Sequence, residues 1–475
     1  MTANTKRKLG GREATSARID GDFALAVGKP DRSPPSRWEW RLLTDLARLE
    51  SGHTPSRKKP EYWGGDIPWI GIRDATGNHG RTIYETKEYT NEHGIANSAA
   101  RVLPPNTVCL SRTASVGYVV VMGRPMATSQ DFVNWSCSKD LEATFLKYAL
   151  IAEGDALLRF ASGSVHQTIY FPEVKSFYIA TPPLREQRAI AEVLGSLDDK
   201  IELNRRMNET LEAMAQAIFR DWFVDFGPTR RKLEGATDPL TIMGGLVQDT
   251  ERAQALAHLF PDKIGDDGLP AGWEERQVGD VTLLLRRGLA PSYSDEGILV
   301  INQKCIRNKA VNLALARRHD AAKRPANDRL LEEYDVVVNS TGVGTLGRVA
   351  TVRGLKQAAT ADSHVTICRA DTSKVSKLVL SLFMEGQEAL IETLGHGSTG
   401  QTELSPASLS AMVFPVAPEP VQLAFESLVM PLRDLVTSNS EQSLTLAETR
   451  DLLLPKLMSG EICLSEAEVL AEPAH

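Results

Sequence analysis

The chain repeats itself at a fixed distance, and this internal repeat constrains its fold more than any other feature. The stretch "SRWEWRLLTDLARLESGHTPS" resembles "AGWEERQVGDVTLLLRRGLAPS", in which Trp273 follows Trp38 by 235 residues. Two further pairs keep nearly the same offset: "LPPNTVCLSRTASVGYVVV" with "LEEYDVVVNSTGVGTLGRVA", and "ASGSVHQTIYFPEVKSFYIATPP" with "GHGSTGQTELSPASLSAMVFPVAP". A period this long is too large for a solenoid and predicts a duplicated module of two parts.

The first part of each copy, residues 37–181 and again residues 270–415, contains short apolar runs separated by Gly, Pro, Asn and Ser. Runs of this length are typical of β-strands, and the turn-forming residues between them predict frequent reversals of the chain. We therefore predict two globular domains that are α+β or mostly β, and we favour α+β.

The second part of each copy predicts a long helix, residues 182–226 and again residues 416–460. Apolar residues recur there at alternating spacings of four and three, which makes a seam for another helix. The predicted seam consists of Ile190, Leu194, Leu197, Ile201, Asn204, Asn208, Leu211 and Ile218 in the first helix and of Leu428, Leu432, Leu435, Asn439, Leu446 and Leu453 in the second. At about 1.5 Å per residue such a helix reaches roughly 60 Å, so we favour a rod between two lobes over two amphipathic helices on separate cores.

Polar and cyclic residues stand at specific points of the two predicted helices. Asn204, Asn208 and Asn439 lie in mid-seam, where polar side chains cost stability but fix the register of paired helices. Pro431 predicts a kink or a delayed start of the second helix, and Pro455 predicts its end.

The remaining segments flank or connect these parts. Residues 1–36 are polar and predict a flexible N-terminal extension, and residues 461–475 form a tail. Residues 227–269 form a connector with Pro and Gly, in which one short helix is expected near residues 249–259.

Composition excludes several classes of protein. A chain of 475 residues exceeds one ordinary core, and its 42% hydrophobic and 24% charged residues are typical of a soluble globular protein. No apolar run is long enough to span a membrane, so we expect a cytoplasmic protein without membrane contact. The five cysteines are far apart and show no C-x-x-C pair, which argues against a zinc site and a disulfide framework.

A glycine-rich stretch raises the alternative of a dinucleotide-dependent enzyme. Gly342, Gly344 and Gly347 satisfy G-x-G-x-x-G, and Asp362 follows where a ribose-binding acid belongs. A dinucleotide site needs a helix to open at the last glycine, because the pyrophosphate binds free N–H groups at a helix N-terminus. The β-branched residues after Gly347 predict a strand instead, and the first copy keeps only one of the three glycines, as Gly117. We favour a tight turn between two strands.

Other catalytic motifs are missing from the sequence. Gly347 is followed by Arg348 and Val349 where a Walker A loop requires Lys and Ser or Thr, and neither H-E-x-x-H nor G-x-S-x-G occurs. The Asn/Asp-Pro-Pro-aromatic tetrad that holds an extruded base in nucleotide-flipping methyltransferases is also missing. We therefore predict no catalytic residues and no metal site in this chain.

The combined motifs resemble the specificity subunit of type I restriction-modification systems. The resemblance covers residues 37–460 and is carried by the Trp-Glu starts, "GDIPWIGIRDATG", "GSVHQT", "PPLREQRAIAEVLGSLDDKIELNRRMNETLEAMAQAIF" and "LFPDKIGDDGLPAGWE". It implies two target-recognition domains, residues 37–181 and 270–415, separated by two long antiparallel coiled-coil helices. The second copy departs from the family at "APEPVQLAFESL", which lacks the Arg-Glu-Gln run of residues 185–187.

The resemblance also implies the partners. Each domain of such a subunit reads one half of a split target in double-stranded DNA, and the subunit recruits two methyltransferase subunits and endonuclease/translocase subunits. It has no cofactor of its own, since S-adenosylmethionine, ATP and magnesium are used by those partner subunits. DNA makes two reading heads on a rigid spacer useful, because they contact grooves about one helical turn apart and leave the bases between them unread.

Basic residues are the candidates for contact with DNA. The formal net charge of −7 does not predict nucleic-acid binding, but local clusters matter more than the total. The candidates are Lys58, Lys59, Arg73 and Arg112 in the first domain and Arg286, Arg287, Lys304, Arg307 and Arg348 in the second. Besides the dinucleotide enzyme, a coiled-coil adaptor without DNA specificity remains the alternative function.

Overall fold

The computed structural model describes residues 15–162, 167–395 and 403–462. The chain divides into two compact units. The first unit takes in the described residues up to Leu203 together with those from Gln442 onward, and the second comprises Asn204–Glu441. In the described ranges no helix is long and apolar enough to cross a membrane.

The first unit combines twelve short strands with small helices. Its strands are β1 (Ile19–Asp20), β2 (Leu25–Val27), β3 (Glu39–Leu42), β4 (Ala47–Ser51), β5 (Trp63–Ile70), β6 (Thr82–Ile83), β7 (Glu88–Thr90), β8 (Val108–Ser111), β9 (Val119–Met122), β10 (Ala127–Thr128), β11 (Phe132–Cys137) and β12 (Phe177–Thr181). Its helices are α1 (Leu43–Leu46), α2 (Ile72–Gly77), α3 (Glu92–Ala96), α4 (Ala143–Ala152), α5 (Gly154–Phe160) and α6 (Phe171–Lys175). Helix α7 (Leu184–Phe219) begins in this unit and ends in the second, where a π-helical turn follows at Arg220–Val224.

The second unit is built from the same kinds of elements. Its helices are α8 (Gly227–Leu233), α9 (Pro239–Ile242), α10 (Thr250–His258), α11 (Lys377–Gly386), α12 (Glu388–Thr393) and α13 (Pro406–Ser410). Its strands are β13 (Glu274–Gln277), β14 (Thr282–Arg287), β15 (Tyr293–Ser294), β16 (Ile298–Ile301), β17 (Ile306–Arg307), β18 (Ala310–Val311), β19 (Arg317–His319), β20 (Val336–Asn339), β21 (Val349–Thr351), β22 (Ala359–Ala361), β23 (Val365–Ala370) and β24 (Val413–Val416). Helix α14 (Glu419–Ser459) begins in this unit and ends in the first. Short 3-10 turns lie at Pro60–Tyr62 in the first unit and at Val278–Val281, Gln303–Cys305, Leu313–Leu315 and Asn327–Arg329 in the second. The predicted mixture of strands with long helices is confirmed.

Each unit contains the same two arrangements of strands. In the first unit β4, β11, β8 and β9 are neighbours in one antiparallel run, and in the second β14, β23, β20 and β21 follow the same order. A second sheet has a parallel pair next to an antiparallel one: β10-β5-β7 in the first unit and β22-β16-β19 in the second. The hydrophobic cores lie on both faces of these sheets and bury residues such as Trp135 in one unit and Val337 in the other.

Two glycines mark the same close approach in both units. A Cβ at Gly52, directly after β4, would lie 1.8 Å from the carbonyl oxygen of Ser129. At Gly288, directly after β14, it would lie 2.1 Å from the carbonyl oxygen of Ala361. Only glycine lets the backbone pass this near to the neighbouring strand, and Gly52 opens the loop of residues 52–62 described below.

The N-terminal segment corrects one prediction. Residues 15–36 were expected to belong to a flexible extension, but β1 and β2 extend the sheet β1-β2-β12-β3, and Leu25 and Val27 are fully buried. The buried carboxylate of Glu153 accepts hydrogen bonds from the backbone N–H groups of Asp22, Phe23 and Leu25 at 2.6, 2.7 and 3.0 Å. Polar composition misled the prediction, because the apolar run that forms β2 is only a few residues long.

The long helices pack on each other inside each unit. Ile190, Leu194 and Leu197 of α7 share the core of the first unit with Leu446 and Leu453 of α14. In the second unit, Asn204 Nδ2 donates to Asn439 O at 3.3 Å, and Asn208 Nδ2 donates to Val436 O at 3.2 Å. Residues later in α7 thus bond to residues earlier in α14, so the two segments run antiparallel. Asn439 Nδ2 also donates to Asn208 Oδ1 at 2.9 Å. The helix segments thus pair within one chain.

Two predictions about α14 are wrong, that Pro455 ends the helix and that Leu435 lies in its seam. The helix continues beyond Pro455 to Ser459, and because it begins at Glu419, its start is not delayed to Pro431. Leu435 is 41% exposed, because the buried positions nearby are Arg433 and Val436. The other seam candidates are buried or half-buried: Ile190, Leu194, Leu197, Ile201, Asn204, Asn208, Leu211, Ile218, Leu428, Leu432, Asn439, Leu446 and Leu453. In the connector, α10 lies where a short helix was expected.

A half-buried ion cluster joins α4 to the two long helices in the first unit. Asp198 accepts hydrogen bonds from Lys147 Nζ at 3.2 Å, Tyr148 Oη at 2.6 Å and Arg450 NH1 at 2.8 Å. Burial alone would raise the pKa of Asp198, but these three groups together hold the pKa below its usual value.

An ion cluster with the opposite central charge joins α11 to the long helices in the second unit. Arg433 follows Asp198 by 235 residues, the offset of the internal repeat, and its side chain is 1% exposed. Its guanidinium donates to Glu212 at 2.5 Å and to Glu385 at 2.6 Å. Glu385 is also buried and accepts a hydrogen bond from Thr351 Oγ1.

Replacing Asp198 with asparagine is expected to lower stability at neutral pH but not in acid. A carboxylate whose folded pKa is lowered stabilises the fold above its unfolded pKa, and this contribution disappears as the pH falls through the folded pKa. At pH 7 we expect a loss of about 1–3 kcal/mol, since the buried ammonium of Lys147 loses its partner. Denaturant unfolding of wild type and Asp198→Asn at pH 7 and over a series of pH values from 4 downward measures this, and a difference that stays the same throughout the series would contradict it.

Candidate nucleic-acid interface

In the first unit, five basic residues lie around the loop of residues 52–62, which connects β4 to β5. The guanidinium of Arg57 lies over the ring of Trp63 at 4.0 Å, and its NH2 donates to Glu88 at 2.8 Å. That hydrogen bonding and the nearby positive charge of Arg73 lower the pKa of Glu88. Lys58 is exposed beside them. Arg57 and Arg73 therefore flank one carboxylate on a common surface.

Two further candidates in this unit have bonds of their own. Lys59 Nζ donates to Tyr62 Oη at 3.0 Å and stays on the exposed side of the loop. Arg112 is half-buried, donates to Gln130 O at 3.1 Å and lies over the ring of Phe171. Gln130 in turn accepts a hydrogen bond from Thr54 of the 52–62 loop, which places Arg112 at the edge of the same surface.

In the second unit, the predicted basic residues divide into two groups. Lys304 and Arg307 are exposed, and among the described residues no ion pair or side-chain hydrogen bond is found for either. Lys304 lies just after β16, as Arg73 lies just after β5, so both follow the parallel strand of the matching sheet.

The other group is already bonded within the unit. Arg286 pairs with Asp328 at 2.7 Å, and Arg287 pairs with Glu403 at 2.7 Å while donating to Leu404 O at 2.8 Å. Arg348 NH2 donates to Gly344 O at 2.8 Å. These three arginines hold loops in place, and their availability to a phosphate is reduced accordingly.

The glycine-rich stretch forms a turn between two antiparallel strands. Residues of β20 pair with residues of β21 on either side of Gly342–Gly347, and no helix opens at Gly347. Gly347 and its counterpart Gly117 both have positive φ, 86° and 96°. Asp362 is 5% exposed and accepts a hydrogen bond from His364 N at 2.8 Å, so it is not free to bind a ribose. The dinucleotide alternative is therefore wrong, because the helix N-terminus that it requires is a strand.

Several side chains near this turn were not predicted. Gln303 Nε2 donates to Thr341 O at 2.6 Å, and Thr341 Oγ1 lies 2.9 Å from His364 Nδ1. Val343, at the tip of the turn, is 92% exposed. The stacking of Arg317, which lies 3.4 Å over the ring of Tyr293, was also not predicted. Basic runs next to aromatic residues, such as "RKKPEYW", were the available signal for the stacked arginines; the polar cluster is assembled from distant strands and left no local signal.

Among the residues that the structure describes, no group of three or more His, Cys, Asp or Glu side chains could hold a metal ion. Gly163, Ser164 and Ser398, together with Gln401 and Thr402, belong to the repeated Gly-Ser and Gln-Thr motifs and lie outside the described residues.

Comparison with known proteins finds similarity to specificity subunits of type I restriction enzymes. Residues 35–213 match the family described as "Type I restriction modification DNA specificity domain". The MjaIX type I restriction enzyme specificity subunit of Methanocaldococcus jannaschii is 25% identical over 440 residues, 91% of this chain and 95% of that protein. The HindI specificity subunit of Haemophilus influenzae is 27% identical over 342 residues, 63% of this chain and 72% of that protein.

A solved structure has a similar fold. The S subunit of a type I restriction-modification system from M. genitalium aligns over 90% of this chain and 98% of its own, with a TM-score of 0.54 at 15% identity. At this identity the likeness concerns the fold, and it covers both units.

Proposed function

We propose that this chain is a DNA specificity subunit of a type I restriction-modification system, and that it reads a bipartite DNA target with one recognition domain in each unit. The observation that carries the proposal is the recurrence of the same two strand arrangements in both units, with basic side chains after the same strands. We propose that the strands of the two units are copies of one duplicated module, and that the paired α7 and α14 act as the antiparallel spacer.

The proposed interface lies on the exposed basic side chains. Lys58, Lys59 and Arg73 in the first unit and Lys304 and Arg307 in the second would neutralise phosphates, which positions the protein without selecting a sequence. Sequence would be read by neutral polar and apolar side chains that reach base edges in the major groove. Arg112, Arg286, Arg287 and Arg348 would support the loops that carry these side chains.

We propose that the chain itself is not catalytic. Two methyltransferase subunits using S-adenosylmethionine would dock on it, and endonuclease/translocase subunits using ATP and magnesium would complete the assembly in the cytoplasm, where the DNA is. A net charge of −7 fits this division, since the partners would supply part of the positive surface around the duplex.

Methylation mapping tests this function. DNA from cells that express this chain with its methyltransferase partner should carry methylated adenine in one split motif with an unread gap. Cells that express the partner alone should lack it. A single continuous motif would contradict two reading domains, and methylation without any motif would favour a coiled-coil adaptor without DNA specificity.

Removing Lys58 and Lys59 together should weaken binding to all DNA sequences alike. Each lost phosphate contact lowers the slope of log affinity against log salt by about one, so the double alanine variant should lose up to about two. Salt titrations of the complex with target and non-target DNA measure this. Lys139 is the matched control, because it is exposed but lies away from the 52–62 loop. It follows the end of β11 that pairs with the start of β4, whereas the loop follows the end of β4. An unchanged slope for Lys58→Ala/Lys59→Ala would remove this loop from the interface.

A further inference from the structure

Val343 is the most exposed large hydrophobic side chain in the ranges that the structure describes. It is 92% exposed, while the next, Leu283, is 68% exposed. Valine is a β-branched residue that is typical of strands, and here it stands at the tip of a turn between Gly342 and Gly344, which have φ of 101° and 70°. The turn therefore presents two methyl groups directly to solvent.

This turn is held in one conformation by its own hydrogen bonds. The N–H groups of Thr345 and Leu346 donate to Gly342 O at 3.1 and 2.9 Å, and Gly347 N donates to Asn339 O at 2.8 Å. Arg348 clamps the far side through Gly344 O, and the side chain of Leu346 is buried in the core. The exposed valine is thus fixed before any ligand arrives, so binding need not order it.

The side chains near Val343 include a glutamine and a threonine, two residue types that can hydrogen-bond base edges. Gln303 reaches the turn, since a Cβ at Gly342 would lie 3.1 Å from its Nε2. Its Nε2 donates to Thr341, which leaves the carbonyl Oε1 as a hydrogen-bond acceptor on the same side. His364 is exposed next to Thr341, and Lys304 follows Gln303 in the chain. One apolar group therefore lies among polar hydrogen-bonding side chains, with the cation of Lys304 at their edge.

The chemistry of this surface selects among the four bases. Thymine alone presents a methyl group, at C5, on the major-groove edge, and small apolar side chains contact it there. Valine is too short to separate two stacked bases, a role that larger wedges such as Phe, Leu, Ile and Met fulfil. Resting on the proposed function, we infer that Val343 contacts the C5-methyl group of one thymine in the half-site read by the second unit, beside a base pair bonded by Gln303.

Replacing thymine with uracil tests the contact one methyl group at a time. Each thymine on both strands of the mapped motif is replaced singly, and binding of the complex with its methyltransferase partner is measured by competition. At one position in one half-site we expect about a fourfold loss of affinity, the effect of removing one buried methyl group. Val343→Ala should lose affinity for the unmodified motif by a similar factor and should no longer distinguish thymine from uracil at that position.

Two variants serve as controls. Val343→Thr keeps one methyl group and should retain part of the distinction. Val413→Ala removes methyl groups from a half-exposed valine on β24 of the same unit and should behave as wild type.

The outcomes separate this inference from the proposed function. If wild type methylates no split motif, the proposed function fails. If a split motif exists but uracil has the same effect on wild type and Val343→Ala at every position, the function stands and the thymine contact is wrong. The contact is also overturned if one half-site contains no thymine in either strand and uracil has no effect in the other half-site.

Discussion

Arg433→Met is expected to destabilise the second unit by about 3–5 kcal/mol, because it leaves the buried carboxylate of Glu385 without its cation. A loss of this size should lower the midpoint of the corresponding thermal transition by roughly 10 °C. Arg433→Met/Glu385→Leu should recover most of it, since an apolar pair of similar volume needs no counter-ion. Calorimetry of the three proteins measures these shifts.

Arg220→Met is the matched control for that experiment. Arg220 lies in the same unit and pairs with Asp225 at 3.1 Å, but the two side chains are 72% and 54% exposed. An exposed pair of this kind contributes at most about 1 kcal/mol. Equal effects of Arg220→Met and Arg433→Met, or a double variant no more stable than Arg433→Met, would refute the importance assigned to burial.

A second large effect is expected when the first recognition domain is exchanged for that of another family member. Exchange of residues 15–181 should replace one half of the methylated motif and leave the other half unchanged. Exchange of residues 37–181 alone should reduce methylation at least about tenfold, because it sets native β2 against a foreign β12 and removes the Glu153 carboxylate that binds three backbone N–H groups.

Point variants separate that cause from a general failure of chimaeras. Glu153→Ala in the native chain should expose residues 19–27 to hydrogen exchange, whereas Asp155→Ala should not, since Asp155 is exposed on the same helix α5. A change in both halves of the motif after exchange of residues 15–181 would contradict two separate reading domains. Equal activity of the two chimaeras would contradict the role given to the N-terminal strands.

Local patterns in the sequence were sufficient to predict the elements that depend on them. The β-branched residues after Gly347 correctly predicted a strand and thereby excluded a dinucleotide site. The periodicity of residues 184–219 correctly predicted one long helix. In both cases neighbouring residues alone determine the structure, because periodicity and backbone preference act over a few residues.

Features that depend on distant partners were not predictable in this way. From the sequence alone, Arg433 is expected on the exposed face of an amphipathic helix. It is buried because Glu385 and Glu212, which are distant in the sequence, pair with its guanidinium. That burial shifts the contact face of α14 and leaves Leu435 outside it. Likewise, β2 is too short to be recognised from its sequence. It forms a strand because it pairs with β12 and because the Glu153 carboxylate accepts hydrogen bonds from the backbone beside it. Gln303, Thr341 and Val343 meet only after three strands have assembled.

The two ion clusters also determine which fragments of the chain can complement each other. Asp198 and Lys147 come from the first half of the sequence, but their cluster is completed by Arg450 from the second half. Arg433 and Glu385 come from the second half and use Glu212 from the first. At the 235-residue offset, both Arg450 and Glu212 correspond to alanines, Ala215 and Ala447. A genetic recombination that joins two identical halves would therefore lose a charge from each cluster, whereas two unlike halves expressed as separate polypeptides retain every partner.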